Sequence, residues 1–186
     1  MPTSLRLALG IAGALGVMSV CGPALAQSNR DPAAEKQVKL GIELKSKGDL
    51  VGAEGHYREA IRLDPRYAEA HYNYGILLTE RGDTNAAISE YKKAIDIDKN
   101  YAEAHFNLAL LLRKKGDNQG EIKEYRRALE AAPNYAAAHY NLANCLVDQG
   151  AYNEAIEHYE AYLRLVPKAR DASRVKQEID RLRAAK

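Results

Sequence analysis

Between residues 68 and 81 the apolar positions Ala70, Tyr74, Leu77 and Leu78 keep the three-and-four spacing of one helical face. After Gly82 a second set, Ala87, Tyr91, Ala94 and Ile95, keeps it again. The stretch therefore predicts two amphipathic helices joined at a glycine. Gly82 stands where a helix end calls for a left-handed residue, which glycine adopts without steric penalty. Asp83 follows at the start of the next helix, where a short acceptor satisfies free amides and the helix dipole favours negative charge.

The same arrangement returns every 34 residues. Glycine recurs at 48, 82, 116 and 150, tyrosine at 57, 91, 125 and 159, and alanine at 60, 94 and 128. Asp49, Asp83 and Asp117 recur as first-turn caps, and Pro65, Pro133 and Pro167 end the second helix by removing a donor. A repeat of this length is the signature of stacked supersecondary units. Four units are expected: 34–67, 68–101, 102–135 and 136–169. Lys99 replaces proline in the second, so a looser junction is expected there. After Ala169, the positions Ala172, Val175, Ile179 and Leu182 share a face, which predicts a terminal amphipathic helix over 170–186 that covers the last open side of the stack. Its basic outer face reads as solvated. Asp31 and Pro32 read as the cap and first residue of the opening helix, with 27–33 a flexible leader.

The spacing resembles that of the tetratricopeptide repeat family. Leu40-Gly41, Gly48, Ala53, Tyr57, Ala60 and Pro65 occupy the family's offsets in the first unit, and Tyr74-Gly75, Gly82, Ala87, Tyr91 and Ala94 in the second. The third unit carries Leu108-Ala109, Gly116, Tyr125, Ala128 and Pro133; the fourth carries Leu142-Ala143, Gly150, Ala155, Tyr159 and Pro167. The resemblance implies an all-α, right-handed solenoid of four helix-turn-helix repeats plus a C-terminal capping helix. Glu121 and Tyr162 depart from the pattern where alanine is expected, so slightly wider packing is expected at both.

Residues 1–26 change the picture of location. Arg6 precedes an apolar run from Leu7 to Val20, and Ala24-Leu25-Ala26 supplies a small-x-small site, the layout of a secretory signal peptide cleaved after Ala26. The run is short of the about 20 residues a membrane span needs. An exported, soluble mature protein is expected, without stable membrane insertion. The cleavage context suits a Gram-negative periplasm by analogy. Cys21 offers a lipoprotein alternative, but Met18-Ser19-Val20 lacks the small residue such a site requires. Residues 27–186 hold 26 Lys and Arg against 25 Asp and Glu, which argues against nucleic acid bound through bulk charge. They also hold Cys145 alone, so no internal disulfide can form.

Histidine and asparagine are the residues in the repeat that chemistry commonly uses. His71, His105 and His139 recur one per unit, but adjacent helices lie about 8–10 Å apart while a metal needs nitrogens about 2 Å away. They are expected to pack between helices, and no cluster is expected for His56 or His158. The sequence carries no phosphate-binding glycine loop, HExxH, CxxC or nucleophile elbow. Nothing basic flanks Cys145 to activate it. No enzyme activity, catalytic residue, metal or cofactor is expected.

Asn73, Asn107 and Asn141 also recur, each directly after an aromatic: Tyr72, Phe106 and Tyr140. Ile76, Leu110 and Asn144 lie one helical step further along the same face. In the family the first helix of each unit lines the concave groove. An amide can pair with any peptide backbone as donor and acceptor. The ladder is similar to the one in the superhelix of O-linked N-acetylglucosamine transferases, although no glycosyltransferase domain is present. In the first unit Val38 and Lys39 replace the aromatic and the asparagine, so the ladder starts at the second. Cochaperones of the family clamp a carboxylate with groove cations; here Glu35, Glu69 and Glu103 oppose that, with only Lys39, Lys45, Arg113 and Lys114 as candidate cations. These nine groove residues, from Tyr72 to Asn144, imply a protein or peptide partner held by an envelope scaffold. Stacking of solenoid ends into a homo-oligomer is the alternative.

Overall fold

The structure is a computed structural model and describes residues 31–185. Expectations for the leader, for Cys21 and for the signal segment lie outside those residues, apart from the start of the first helix. Among the described residues the chain forms α1 (Pro32–Ser46), α2 (Leu50–Leu63), α3 (Ala68–Arg81), α4 (Thr84–Ile97), α5 (Ala102–Lys114), α6 (Asn118–Ala131), α7 (Ala136–Asp148), α8 (Tyr152–Leu165) and α9 (Ala172–Ala184). No strand occurs among them. Each odd-numbered helix packs against the even-numbered one that follows, and each pair docks on the next, as in a solenoid whose repeats touch only their neighbours.

The turns form as their residues dictate. Gly48, Gly82, Gly116 and Gly150 have φ of 84, 85, 79 and 75°, the left-handed region in which a side chain is strained. At the first turn Gly48 N bonds to Lys45 O at 3.0 Å and Asp49 N to Leu44 O at 3.0 Å, so the last carbonyls of α1 are satisfied. α1 begins at Pro32, with Asp31 accepting from Ala33 N, so the helix reaches into the stretch expected to be a flexible leader.

The aspartate caps differ from unit to unit. Asp49 accepts from Gly52 N at 2.8 Å and Asp117 from Gly120 N at 2.9 Å, but Asp83 makes no side-chain cap bond. A Cβ on Gly52 or Gly120 would lie 2.4 Å from Oδ2, the second oxygen of the capping carboxylate. Ala86 carries that Cβ in the second unit, which keeps Asp83 out. Replacing Asp117 by alanine should therefore lower stability by about 0.5–2 kcal/mol in urea denaturation, and the same change at Asp83 by clearly less.

α4 ends at Ile97, the position equivalent to Leu63 and Ala131, although Lys99 stands in place of proline. Asp98 N still bonds Ala94 O at 2.9 Å and Tyr101 N bonds Asp98 O at 3.2 Å, so the junction expected to be looser closes like the others. Backbone bonding and the packing of Tyr101 set this end without proline. The large residues in alanine's places are buried rather than pushed out. Glu121 is 1% exposed with Arg113 Nε 3.9 Å from its carboxylate, and Tyr162 donates to Asp171 Oδ1 at 2.7 Å.

Small residues let the helices close. Ala53, Ala60, Ala87, Ala94, Ala128 and Ala155 are fully buried, and between them Tyr57, Tyr91 and Tyr125 are essentially solvent-free. α9 buries Val175, Ile179 and Leu182 and leaves its charged residues outside, as a terminal cap must.

Candidate functional site

The odd-numbered helices α3, α5 and α7 carry the asparagines, and side chains one repeat apart bridge these helices. Lys45 on α1 reaches Glu80 on α3 at 2.6 Å, Asn107 on α5 donates to the Tyr72 hydroxyl on α3 at 3.2 Å, and Arg174 on α9 donates to Tyr140 on α7 at 3.0 Å. These bridges join α1 to α3, α3 to α5 and α7 to α9.

The rungs are not equivalent. Asn73 is buried and its Nδ2 donates to Glu69 O of its own helix at 2.8 Å. Asn107 is half-buried and spends its donor on Tyr72. Asn141 is 2% exposed, and neither atom of its amide has a hydrogen-bond partner. Asn144 accepts from the Tyr159 hydroxyl at 2.6 Å. Ile76 and Leu110 are half-buried and rest against the apolar clusters below them.

The aromatics sit deeper than a groove lining would. Phe106 and Tyr140 are 8% and 6% exposed, and only Tyr72 is half-buried. Each is gripped by two further rings. Tyr72 has Tyr91 at 5.9 Å and Tyr101 at 4.8 Å; Phe106 has Tyr125 at 5.6 Å and Tyr135 at 4.8 Å; Tyr140 has Tyr159 at 6.0 Å and Tyr162 at 5.1 Å. Tilted pairs at these separations add to plain area burial. Tyr101 and Tyr135, with Tyr67 before them, were not singled out from sequence, although their spacing of 34 was there to be read. Burial, foremost, pushes the phenols of Tyr72, Tyr101 and Tyr135 well above the ordinary value, and the negative charge of Glu103 adds to it in all three.

The histidines pack between helices and also form a polar ladder that spacing along the chain does not reveal. His71 Nδ1 donates to Glu90 Oε2 at 2.7 Å and His105 Nδ1 to Glu124 Oε2 at 2.6 Å, while their Nε2 atoms meet the carbonyls of Pro65 and Lys99 at 3.1 Å. In the first unit Gln37 faces His56 at 2.6 Å, and in the fourth His139 faces His158 at 2.8 Å. His56 and His158, expected to stand apart, are thus the second-helix rungs of that ladder. Burial pushes the Glu90 carboxyl up, but hydrogen bonds from His71 and Lys93 outweigh it and hold the group below its ordinary value. The ladder ties the two helices of each unit together. Among the described residues no group of three or more His, Cys, Asp or Glu is placed to hold a metal. Cys145 is buried. Arg113 lies 3.9 Å from Glu121, Lys45 pairs with Glu80 and Lys39 with Glu35, so three of the four candidate clamp cations already face a carboxylate. No helix among the described residues is long and apolar enough to cross a membrane.

Comparison with known proteins agrees with this geometry. Family models described as TPR repeat and tetratricopeptide repeat match residues 75–116, 97–136, 122–170 and 56–89. No curated protein matches the chain in sequence. Among solved structures, MamA is similar with 27% identity over 81% of this chain and 80% of its own, at a TM-score of 0.69. PilF of Pseudomonas aeruginosa shares the fold with 24% identity over 82% and 68%, at 0.68. YrrB, described as a TPR protein with an unusual peptide-binding site, shares it with 23% identity over 80% and 76%, at 0.66. The helix pairs, their 34-residue period and these matches lead to one conclusion: the chain belongs to the tetratricopeptide repeat family, whose members are typically non-enzymatic protein-interaction scaffolds.

Proposed function

We propose that the protein is a non-enzymatic adaptor of the cell envelope, exported to the periplasm, that holds an extended segment of a partner protein along the strip made by α3, α5 and α7. The observation that carries this reading is the asparagine ladder. One amide stands at the same place in each of the second, third and fourth units, and Asn107 and Tyr72 join two of these units. An amide ladder pairs with backbone whatever the segment's sequence. Ile76, Leu110 and Tyr72 supply apolar surface beside it, with Phe106 and Tyr140 as a firm floor.

The test is capture of partners from an envelope extract with Asn73, Asn107 and Asn141 all changed to alanine. Of the three amides only Asn107 bonds across units, and truncating Asn141 breaks no hydrogen bond. The helical signal of the variant should therefore survive, while capture should fall at least tenfold. Unchanged capture by a folded variant would sink the groove reading.

A second reading, self-assembly through the solenoid ends, has its own observation. Val51 is 80% exposed and Ile42 40% exposed on the first unit, and Leu165 and Val166 are each 37% exposed near the last. Sedimentation over a concentration range decides between the two: growth of mass in the absence of any ligand supports assembly.

A further inference from the structure

The fourth unit breaks the polar ladder in one respect. The first pairs an amide with an imidazole, and the second and third pair an imidazole with a carboxylate. Only α7 and α8 are joined by two imidazoles, His139 and His158, with their Nδ1 atoms 2.8 Å apart and their rings 5.1 Å apart.

A hydrogen bond between two ring nitrogens needs one N–H and one lone pair. His139 Nε2 lies 2.9 Å from Pro133 O, an acceptor, so that nitrogen carries hydrogen. With both rings neutral, His158 Nδ1–H donates to His139 Nδ1. One added proton can be accommodated: His139 becomes the cation and donates to the lone pair of His158. A second leaves two N–H groups facing each other and two cations at hydrogen-bond distance. In the second and third units the imidazole faces a carboxylate instead, so no two N–H groups oppose each other there. Acidification therefore drives α7 from α8 through a repulsion that the pairs of the second and third units do not contain.

We propose that the His139–His158 pair is an acid-sensitive latch: below neutral pH it parts α7 from α8 and loosens the fourth unit with α9, while the second and third units hold. Release of a segment bound at Tyr140, Asn141 and Asn144 rests on the groove reading; the opening itself does not. α9 follows because it is fastened to this unit through Arg174 on Tyr140 and Tyr162 on Asp171.

The surroundings of His158, burial above all, favour the latch. Burial first, and then the charge of His139, hold His158 below its ordinary value, with Arg126 of α6 acting in the same direction. Glu154 and Glu157 of α8 oppose this and do not overcome it. A histidine depressed in the folded state takes its proton more readily when unfolded. Stability is thus fully present above the unfolded value of 6.5 and is lost as the pH falls through the lowered folded one.

Hydrogen exchange of the full chain without ligand, from pH 7.5 to 5.0 and corrected for intrinsic rates, tests the latch. Amides of 136–165 should open more often below pH 6.5, by up to about tenfold per pH unit for each added proton, while those of 68–131 keep their protection. His158→Glu, which restores the pairing of the other units, should abolish the response. His158→Gln, copying the amide–imidazole pair of the first unit, should abolish it too and guards against misfolding of the first variant. Protection of 136–165 that is flat down to pH 5.0, or a response unchanged in both variants, would overturn the proposal. Because no ligand is used, failure of the latch is read separately from failure of the groove.

Discussion

Replacing Tyr91 by alanine is expected to lower stability by about 3–5 kcal/mol, the range for removing a buried aromatic. Tyr91 is 1% exposed, lies under the Tyr72 ring at 5.9 Å, and its hydroxyl is 3.1 Å from that of Thr79. Its removal takes away the centre of the second unit, on which α5 also rests. Tyr91→Phe keeps the ring and loses one hydroxyl contact, which should cost about 1 kcal/mol. Urea denaturation of the two variants separates packing from hydrogen bonding; similar losses for both would contradict the ring's central role. The phenol is pushed up to about 12, by burial first, with Thr79 opposing and Glu80 adding. The group is thus raised, so its contribution is fully present below pH 10 and is lost as the pH climbs towards 12. An alkaline titration of the wild type should show that loss, and Tyr91→Phe should reduce it.

Gly75→Leu should be nearly as damaging, at about 1–3 kcal/mol or more. Even a lone Cβ there would lie 2.7 Å from Tyr91 Cε1, inside any real carbon contact. The ring is walled in and cannot swing away as a flexible chain end would. Gly75→Ala is the informative control. Ala109 and Ala143 fill the equivalent places in the third and fourth units at full burial, so a slight shift of the ring suffices for a methyl. Alanine also gains about 1 kcal/mol in helix propensity over glycine. A small effect for alanine beside a large one for leucine in thermal unfolding would place the limit of that contact at one carbon.

The fold was legible because the constraints that make it act along the chain. A glycine that must be left-handed and an alanine that must be small leave their marks at fixed offsets, so the units were readable from Gly48 to Pro167. What depends on pairs across helices was not. The Asp83 cap is lost to a methyl three residues on, at Ala86, and the end of α4 survives the loss of proline because the backbone around Tyr101 closes it. His139 and His158 stand 19 residues apart, a separation that means nothing until α7 and α8 lie side by side. The candidate site shows the same division. The asparagines were found by period, yet burial and hydrogen bonds make Asn141 unlike Asn73 and draw Phe106 and Tyr140 beneath the surface, and only packing decides that.

The three-ring clasp has a consequence for how the molecule could grow. Tyr72, Tyr91 and Tyr101 all fall between Ala68 and Tyr101, and Phe106, Tyr125 and Tyr135 fall between Ala102 and Tyr135. Each middle unit carries its aromatic lock whole. The fourth unit has Ala169 in place of the last tyrosine and completes its lock with Tyr162, from within α8. Duplication or exchange of 68–101 as a block would thus insert a finished piece of core, with no ring stranded at either seam. The length of the array is a quantity that evolution or an engineer can change by whole units.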